Sequence, residues 1–151
     1  MHKTIISDIS CFIVLSNINE LDLLQKLYGQ ITTTIEIVTE YGEALPEWVT
    51  IENVKDTHRQ ELLEMHPDTA EASVLALALE TPDSTIITDD YHVRKIAEKL
   101  KLNYTGTIGV IIRAKLKGII PSIKPLLAKI KQAGFRLGDD AEQQALKEAG
   151  E

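Results

Sequence analysis

The side chains best suited to chemistry in this sequence are carboxylates placed at the ends of apolar runs. "KTIISD" closes on Asp8, and "STIITDD" closes on Asp89 and Asp90. Glu71 opens the otherwise apolar "AEASVLALALE", and Glu40 sits in "TTTIEIVTEYGEA". An ionised carboxylate against apolar surroundings is costly unless something compensates its charge. Carboxylates that meet in one cleft repel each other, and divalent cations relieve that repulsion. All-oxygen ligation suits Mg²⁺ or Mn²⁺, and no cluster of cysteine and histidine offers a zinc alternative.

Each acid also has a plainer role. Asp8 can cap the helix that begins in "DISC", and one of Asp89 and Asp90 is expected to cap "YHVRKIA". Glu71 suits a helix N-terminus through the macrodipole, and Glu40 suits a solvated helix face. The single cysteine, Cys11, excludes an internal disulfide. Set in "SCFIVL", it reads as a small core residue rather than a nucleophile.

These acids need elements to position them. The length of 151 residues suits one domain spanning 1–151, long enough to bury a core. "KTIIS", "EWVTIENV", "STIIT" and "NYTGT" read as four strands. Helical spacing runs through "CFIVLSNI" and "ELDLLQKLYG", the latter stopped by Gly29. Thr34 can cap a helix carrying Glu36 and Glu40 and closed by Gly42, although "TTTIEIV" also has strand propensity. "DTHRQELLEMH", capped at Asp56 or Thr57 and stopped by Pro67, precedes the buried helix "DTAEASVLALALE". "YHVRKIAEKLKL" is amphipathic, with Val93, Ile96, Ala97 and Leu100 inward, and three further helices end the chain. Strands alternating with helices predict a three-layer α/β/α sandwich around a mostly parallel sheet. Ligands of such sheets bind beyond the carboxyl ends of the strands, where Asp8 and the Asp89–Asp90 pair belong.

Charge is divided along the chain. Residues 1–90 hold 17 acids and 4 bases, residues 91–138 hold 11 bases and one acid, and the net charge is −7. This division suits a protein that gathers cations in one place and polyanions beside it, and equally one with solvated lysine-rich helix faces. Arg94, Lys95, Arg113, Lys115 and Lys117 are candidates for contacts to a phosphate backbone. Trp48 and Tyr104 suit packing or base stacking, and His92 an exposed helix position. No apolar run reaches the roughly 20 residues of a membrane span, and "MHKTIISD" does not resemble a signal peptide. A cytoplasmic location is expected.

Together, "ISDISCFIVL", the acid of "VTEYGEALPEW", "AEASVLALALE" and "IITDDYHVRKIAEKL" resemble a PIN domain. "LPEW", "TGTIGVIIRAKLKGIIPSIKPLL" and "AGFRL" extend the resemblance over the whole chain, toward a prokaryotic branch of PIN-like toxin nucleases. The resemblance implies a compact α/β/α fold whose acids bind Mg²⁺ or Mn²⁺ and hydrolyse RNA or DNA. Asp8 matches the first acid, with Ser10 as the hydroxyl two positions on. Glu40 and Glu71 match the second and third acids. The fourth falls on "TDD", where spacing from Thr88 favours Asp90 and the pattern of the branch favours Asp89. Departures are Asp68-Thr69 where relatives often carry Gly-Glu, Ile35 in place of a proline, and Glu71 in place of Asp.

The expected activity is metal-assisted hydrolysis by an endoribonuclease, with water as nucleophile. The resemblance also implies a toxin role, a small antitoxin as partner, and a homodimer, for which "IGVIIRAKL" offers an apolar face. The competing reading is an inactive PIN-fold module that binds RNA or a protein. A phosphoaspartyl protein fits poorly, because Asp8-Ile9-Ser10 lacks the second acid of a D-x-D pair.

Overall fold

The computed structural model describes residues 3–64 and 69–151. Its centre is a sheet of five parallel strands, β1 (Thr4–Ser7), β2 (Ile31–Thr33), β3 (Val49–Ile51), β4 (Ser84–Ile87) and β5 (Asn103–Thr105), in the order β3-β2-β1-β4-β5. Nine helices lie among the described residues: α1 (Ile9–Asn17), α2 (Asp22–Tyr28), α3 (Ile35–Tyr41), α4 (Thr57–Leu63), α5 (Thr69–Glu80), α6 (Tyr91–Lys99), α7 (Thr107–Leu116), α8 (Lys124–Gln132) and α9 (Asp139–Glu148). The architecture is the expected α/β sandwich.

Four strands were expected, and the fifth, β2, is the correction. "TTTIEIVTEYGEA" divides: its first two threonines join Ile31 in a strand, Ile31–Thr33, that pairs with β1 and β3, and Thr34 then turns the chain into α3. The Thr34 hydroxyl accepts from the Ile37 N–H at 3.2 Å, and Gly42 closes the helix, as expected. Ile35 is the first helical residue and is exposed, a position proline tolerates because its N–H has no helical partner.

The chain moves outward from β1 to β2 and β3, then returns past β1 to β4 and β5. The direction of winding therefore reverses between β1 and β4, which opens a crevice at their carboxyl ends. The register Ser7↔Ile87 brings both strands to that edge together, and the Asp8 N–H continues the ladder to the Ile87 carbonyl at 2.9 Å.

Burial holds this edge in place. Ala70 through Ala78 of α5 are all buried except Glu71, and the helix packs on β1 and β4 and against α3, α4 and α6. Each fully buried Leu or Val contributes about 1.5–3 kcal/mol, so α5 is anchored along nearly its whole surface. A helix between parallel strands runs antiparallel to them, which puts the start of α5 at the same edge as Asp8. On α1, Cys11, Phe12 and Leu15 are fully buried, with Phe12 tilted against Tyr41 at 6.0 Å. Val93 and Ala97 of α6 are fully buried and Ile96 and Leu100 partly so, matching the predicted inward face. Val110, Ile111, Ile112 and Ala114 of α7 are covered within the chain, where the helix packs on α1, α2 and α9. The expected stop at Pro67 lies outside the described residues.

Candidate functional site

Asp8 follows β1 directly and is 2% exposed. Its Oδ1 accepts the Ile9 N–H at 2.7 Å, so it caps α1. Its Oδ2 accepts the Thr88 hydroxyl at 2.8 Å, a bond between the ends of the two central strands. Thr88 is fully buried, and its Oγ1 also accepts the Asp90 N–H at 3.2 Å. One threonine thus ties Asp8 to the "TDD" turn. A carboxylate has about four acceptor positions, so orientation by two donors is compatible with holding a cation.

The two neighbouring acids diverge. Asp89 reaches α7: its Oδ1 accepts the Thr107 N–H at 2.8 Å and its Oδ2 accepts the Thr107 hydroxyl at 2.6 Å. The Arg94 Nη2 lies 3.7 Å from the same carboxylate. Asp90 caps α6 through the Val93 N–H at 2.9 Å. Among the described residues, the other Asp90 oxygen accepts no hydrogen bond. Both acids cap helices, but Asp89 is committed on two oxygens and faces a guanidinium. Ser10 receives the Asp89 N–H on its hydroxyl at 3.2 Å, which joins the first turn of α1 to this group.

Gly106 explains how Arg94 fits. A Cβ at position 106 would overlap Arg94 Nη2 and come within 2.6 Å of Asp89 Oδ1. Only a hydrogen there lets the pair approach the backbone. The Arg94 Nε donates to the Thr88 carbonyl at 3.0 Å, and the guanidinium lies over the Tyr104 ring at 5.5 Å.

The remaining acids lie on α5 and α3. Glu71 is half-buried in the first turn of α5. Glu40 is exposed on α3 and faces a cleft that it shares with Ile9 and Ile13 of α1. Among the described residues, no three Asp, Glu, His or Cys side chains are grouped closely enough to hold a metal ion. Within the turn, Asp89 is drawn to Thr107 at the start of α7 and Asp90 to the Val93 N–H at the start of α6. The donors that do meet at the edge, Asp8 and the hydroxyls of Ser10 and Thr88, with Asp90 following, are all oxygen. That set fits a hard divalent cation by chemistry.

Cys11 lies beneath this edge. Burial pushes its thiol well above the usual range, the negative charges of Asp89 and Asp8 push it further, and a hydrogen bond with Thr107 opposes them. A buried, protonated thiol is no nucleophile, in keeping with a core role.

The basic candidates separate into groups. Arg94 is held inside the site, as described. Lys115 is taken by the C-terminus: its Nζ donates to the Ala149 carbonyl at 2.7 Å and lies 3.7 Å from Glu151. Lys95 is exposed, pairs with Glu98 at 3.8 Å and lies over the Tyr91 ring. Arg113 and Lys117 are exposed on and just beyond α7. Trp48 packs against the core, Tyr104 donates to Glu98, and His92 is exposed beside Tyr91.

Thr107 and Gly106 were not singled out by sequence reasoning, although both lie within the quoted "TGTIGV". A threonine opening a helix after a strand was the available signal.

A parallel sheet with a winding reversal, and a buried aspartate at that reversal tied to the next strand's threonine, define an open α/β fold with its candidate site at the switch point. The profile of the family described as DUF3368, PIN domain, matches residues 4–151, and the chain belongs to that family. PIN domains are generally metal-dependent nucleases. No curated protein matches the chain. Among the described residues, no helix is long and apolar enough to cross a membrane.

Proposed function

We propose that this protein is a Mg²⁺- or Mn²⁺-dependent endoribonuclease and the toxin of a pair with a small antitoxin protein. One observation carries the reading: Asp8 is buried at the carboxyl end of β1, aimed by the Thr88 hydroxyl 80 residues away. A carboxylate held so far from solvent by a neighbouring strand matches a preorganised ligand better than a cap alone. Capping needs one carboxylate oxygen, and Thr88 orients the second.

Asp8 and Asp90 are the principal ligands in this reading, with Glu71 joining from the start of α5 and Glu40 from α3. Asp89 positions the turn and holds Arg94 and Thr107. A divalent cation at these oxygens supplies positive charge to the scissile phosphate and makes water more acidic. The chain supplies the rest. Thr88 keeps the Asp8 carboxylate in register, Ser10 fixes the Asp89 backbone, and Arg113, Lys117 and Lys95 attract the phosphate backbone without reading sequence.

The test is cleavage of a structured RNA in Mn²⁺. Cleavage that ceases in excess chelator, and falls by about a hundredfold in Asp8→Asn, supports the enzyme. Cleavage unchanged in that variant would sink it.

A second reading is favoured by Arg94, whose guanidinium sits 3.7 Å from Asp89 and partly neutralises the acidic edge. In that reading the chain binds RNA or a partner protein without hydrolysis. RNA binding that is equal in the parent and Asp8→Asn, with no cleavage by either, distinguishes it.

A further inference from the structure

Beside Asp89 lies a cavity of about 450 Å³ that neither the helix caps nor the acids explain. Its lining includes Ser10 and Asp89, Ile13 of α1, Ile108 of α7, and Phe135 and Arg136. The last two belong to "AGFRL", a stretch to which no role falls in the sequence. The turn that delivers them is specific. Gly134 adopts φ +92°, a left-handed conformation suited to glycine, and the Phe135 N–H returns to the Ile130 carbonyl at 3.2 Å. This reversal at the end of α8 brings Phe135 to the cavity lining, partly buried against the core.

We propose that this cavity takes a nucleobase of the RNA strand, next to the scissile phosphate, with the Phe135 ring as its stacking surface and Arg136 on the adjoining phosphate. The inference rests on the nuclease reading above and names the part of the substrate that this wall receives. Three observations favour that occupant. The cavity shares Asp89 and Ser10 with the edge that holds Asp8, so whatever fills it is contiguous with that edge. Aliphatic walls and one aromatic ring suit a flat, weakly hydrated ring and exclude a hydrated phosphate. Arg136 is exposed at the rim and makes no ion pair with a described residue, within the segment where bases outnumber acids eleven to one. The Ser10 hydroxyl, which accepts the Asp89 N–H, keeps its own proton to donate to the edge of a base.

Binding of a fluorescent single-stranded RNA hexamer, measured by anisotropy with divalent cations chelated, separates this site from catalysis. Phe135→Leu, which keeps the apolar packing but removes the ring, is expected to weaken binding roughly tenfold, within the range for loss of one stacked base. Phe135→Trp is expected to bind like the parent. A hexamer with one abasic position should lose about the same factor with the parent and little more with Phe135→Leu, because the two changes remove one interaction. Arg136→Gln should lower the slope of log affinity against log salt by about 1.

Binding by Phe135→Leu that equals the parent's would overturn the proposal. Equal tenfold losses on intact and abasic RNA would also overturn it, since they mark a structural role. So would a Phe135→Leu chain whose RNA affinity is unchanged while a parent dimer dissociates, which would give the cavity to a second copy. If the parent cleaves RNA but the coupling is absent, the base site fails and the nuclease reading stands. Coupling without cleavage in Mn²⁺ leaves the site standing and removes the nuclease.

Discussion

The Thr88 hydroxyl donates to Asp8 Oδ2 at 2.8 Å, and both residues are buried to within 2% exposure. This bond ties together the two strands between which the winding of the sheet reverses. It converts a buried charge, costly when left without partners, into a group with a fixed orientation.

Thr88→Val removes that donor while keeping the shape. The buried Asp8 oxygen loses a hydrogen bond, at a cost of about 1–3 kcal/mol in denaturant unfolding. On the proposed function, in which Asp8 holds the cation, cleavage should fall by about tenfold to a hundredfold. Thr88→Ser restores the hydroxyl and should recover most of both, which separates the bond from bulk.

Asp89 and Asp90 should differ in kind. Asp90→Asn can still cap α6, so its unfolding midpoint should stay near the parent's while cleavage falls by about a hundredfold. Asp89→Ala leaves the Thr107 N–H without its acceptor and should cost about 1–3 kcal/mol of stability. Paired unfolding curves and cleavage rates decide. An Asp90→Asn chain that cleaves like the parent would refute the ligand assignment.

Lys115 and Lys117 should also part. Lys117→Gln and Arg113→Gln should each lower the salt slope of RNA binding by about 1. Lys115→Met should leave that slope alone and reduce stability, because its ammonium is bound to the C-terminus beyond α9. Affinities at a series of salt concentrations test both.

Cys11 gives the protein an alkaline weakness. Its thiol keeps its proton in the folded state to higher pH than the ordinary thiol value of about 9. Below that value both states are protonated and the contribution is fully present. Above it the unfolded thiol ionises while the folded one does not, so the unfolded state binds fewer protons and stability falls by up to about 1.4 kcal/mol per pH unit. Tyr28 shifts in the same direction, mainly through burial, so the comparison must be with Cys11→Ala. Unfolding free energies measured from pH 7 to above pH 9 should fall more steeply in the parent than in that variant.

The local pattern of the chain was enough for much of this molecule. Alternation of apolar strands with amphipathic helices determined a parallel sheet, because each period reports which face a residue buries. The ends of "KTIIS" and "STIIT" put Asp8 and Asp89–Asp90 at the edge of the sheet, and Thr34, Asp56 and Gly42 mark helix ends through their own side chains or backbone. Even the family was legible in the ordered set of motifs.

Tertiary structure decided what depends on partners distant in the chain. The strand Ile31–Thr33 is too short to show alternation, and it is a strand because β1 and β3 lie on either side of it. Asp89 turns to Thr107 and Asp90 to Val93, a division that two adjacent identical residues cannot announce. Arg94 and Lys115 read as surface charges until packing brings a carboxylate or a carbonyl to them. Phe135 stands 46 positions beyond Asp89 and meets the same cavity because α8 ends in a left-handed turn. Periodicity encodes the direction a side chain faces; which other side chain waits there is set by the path of the whole backbone.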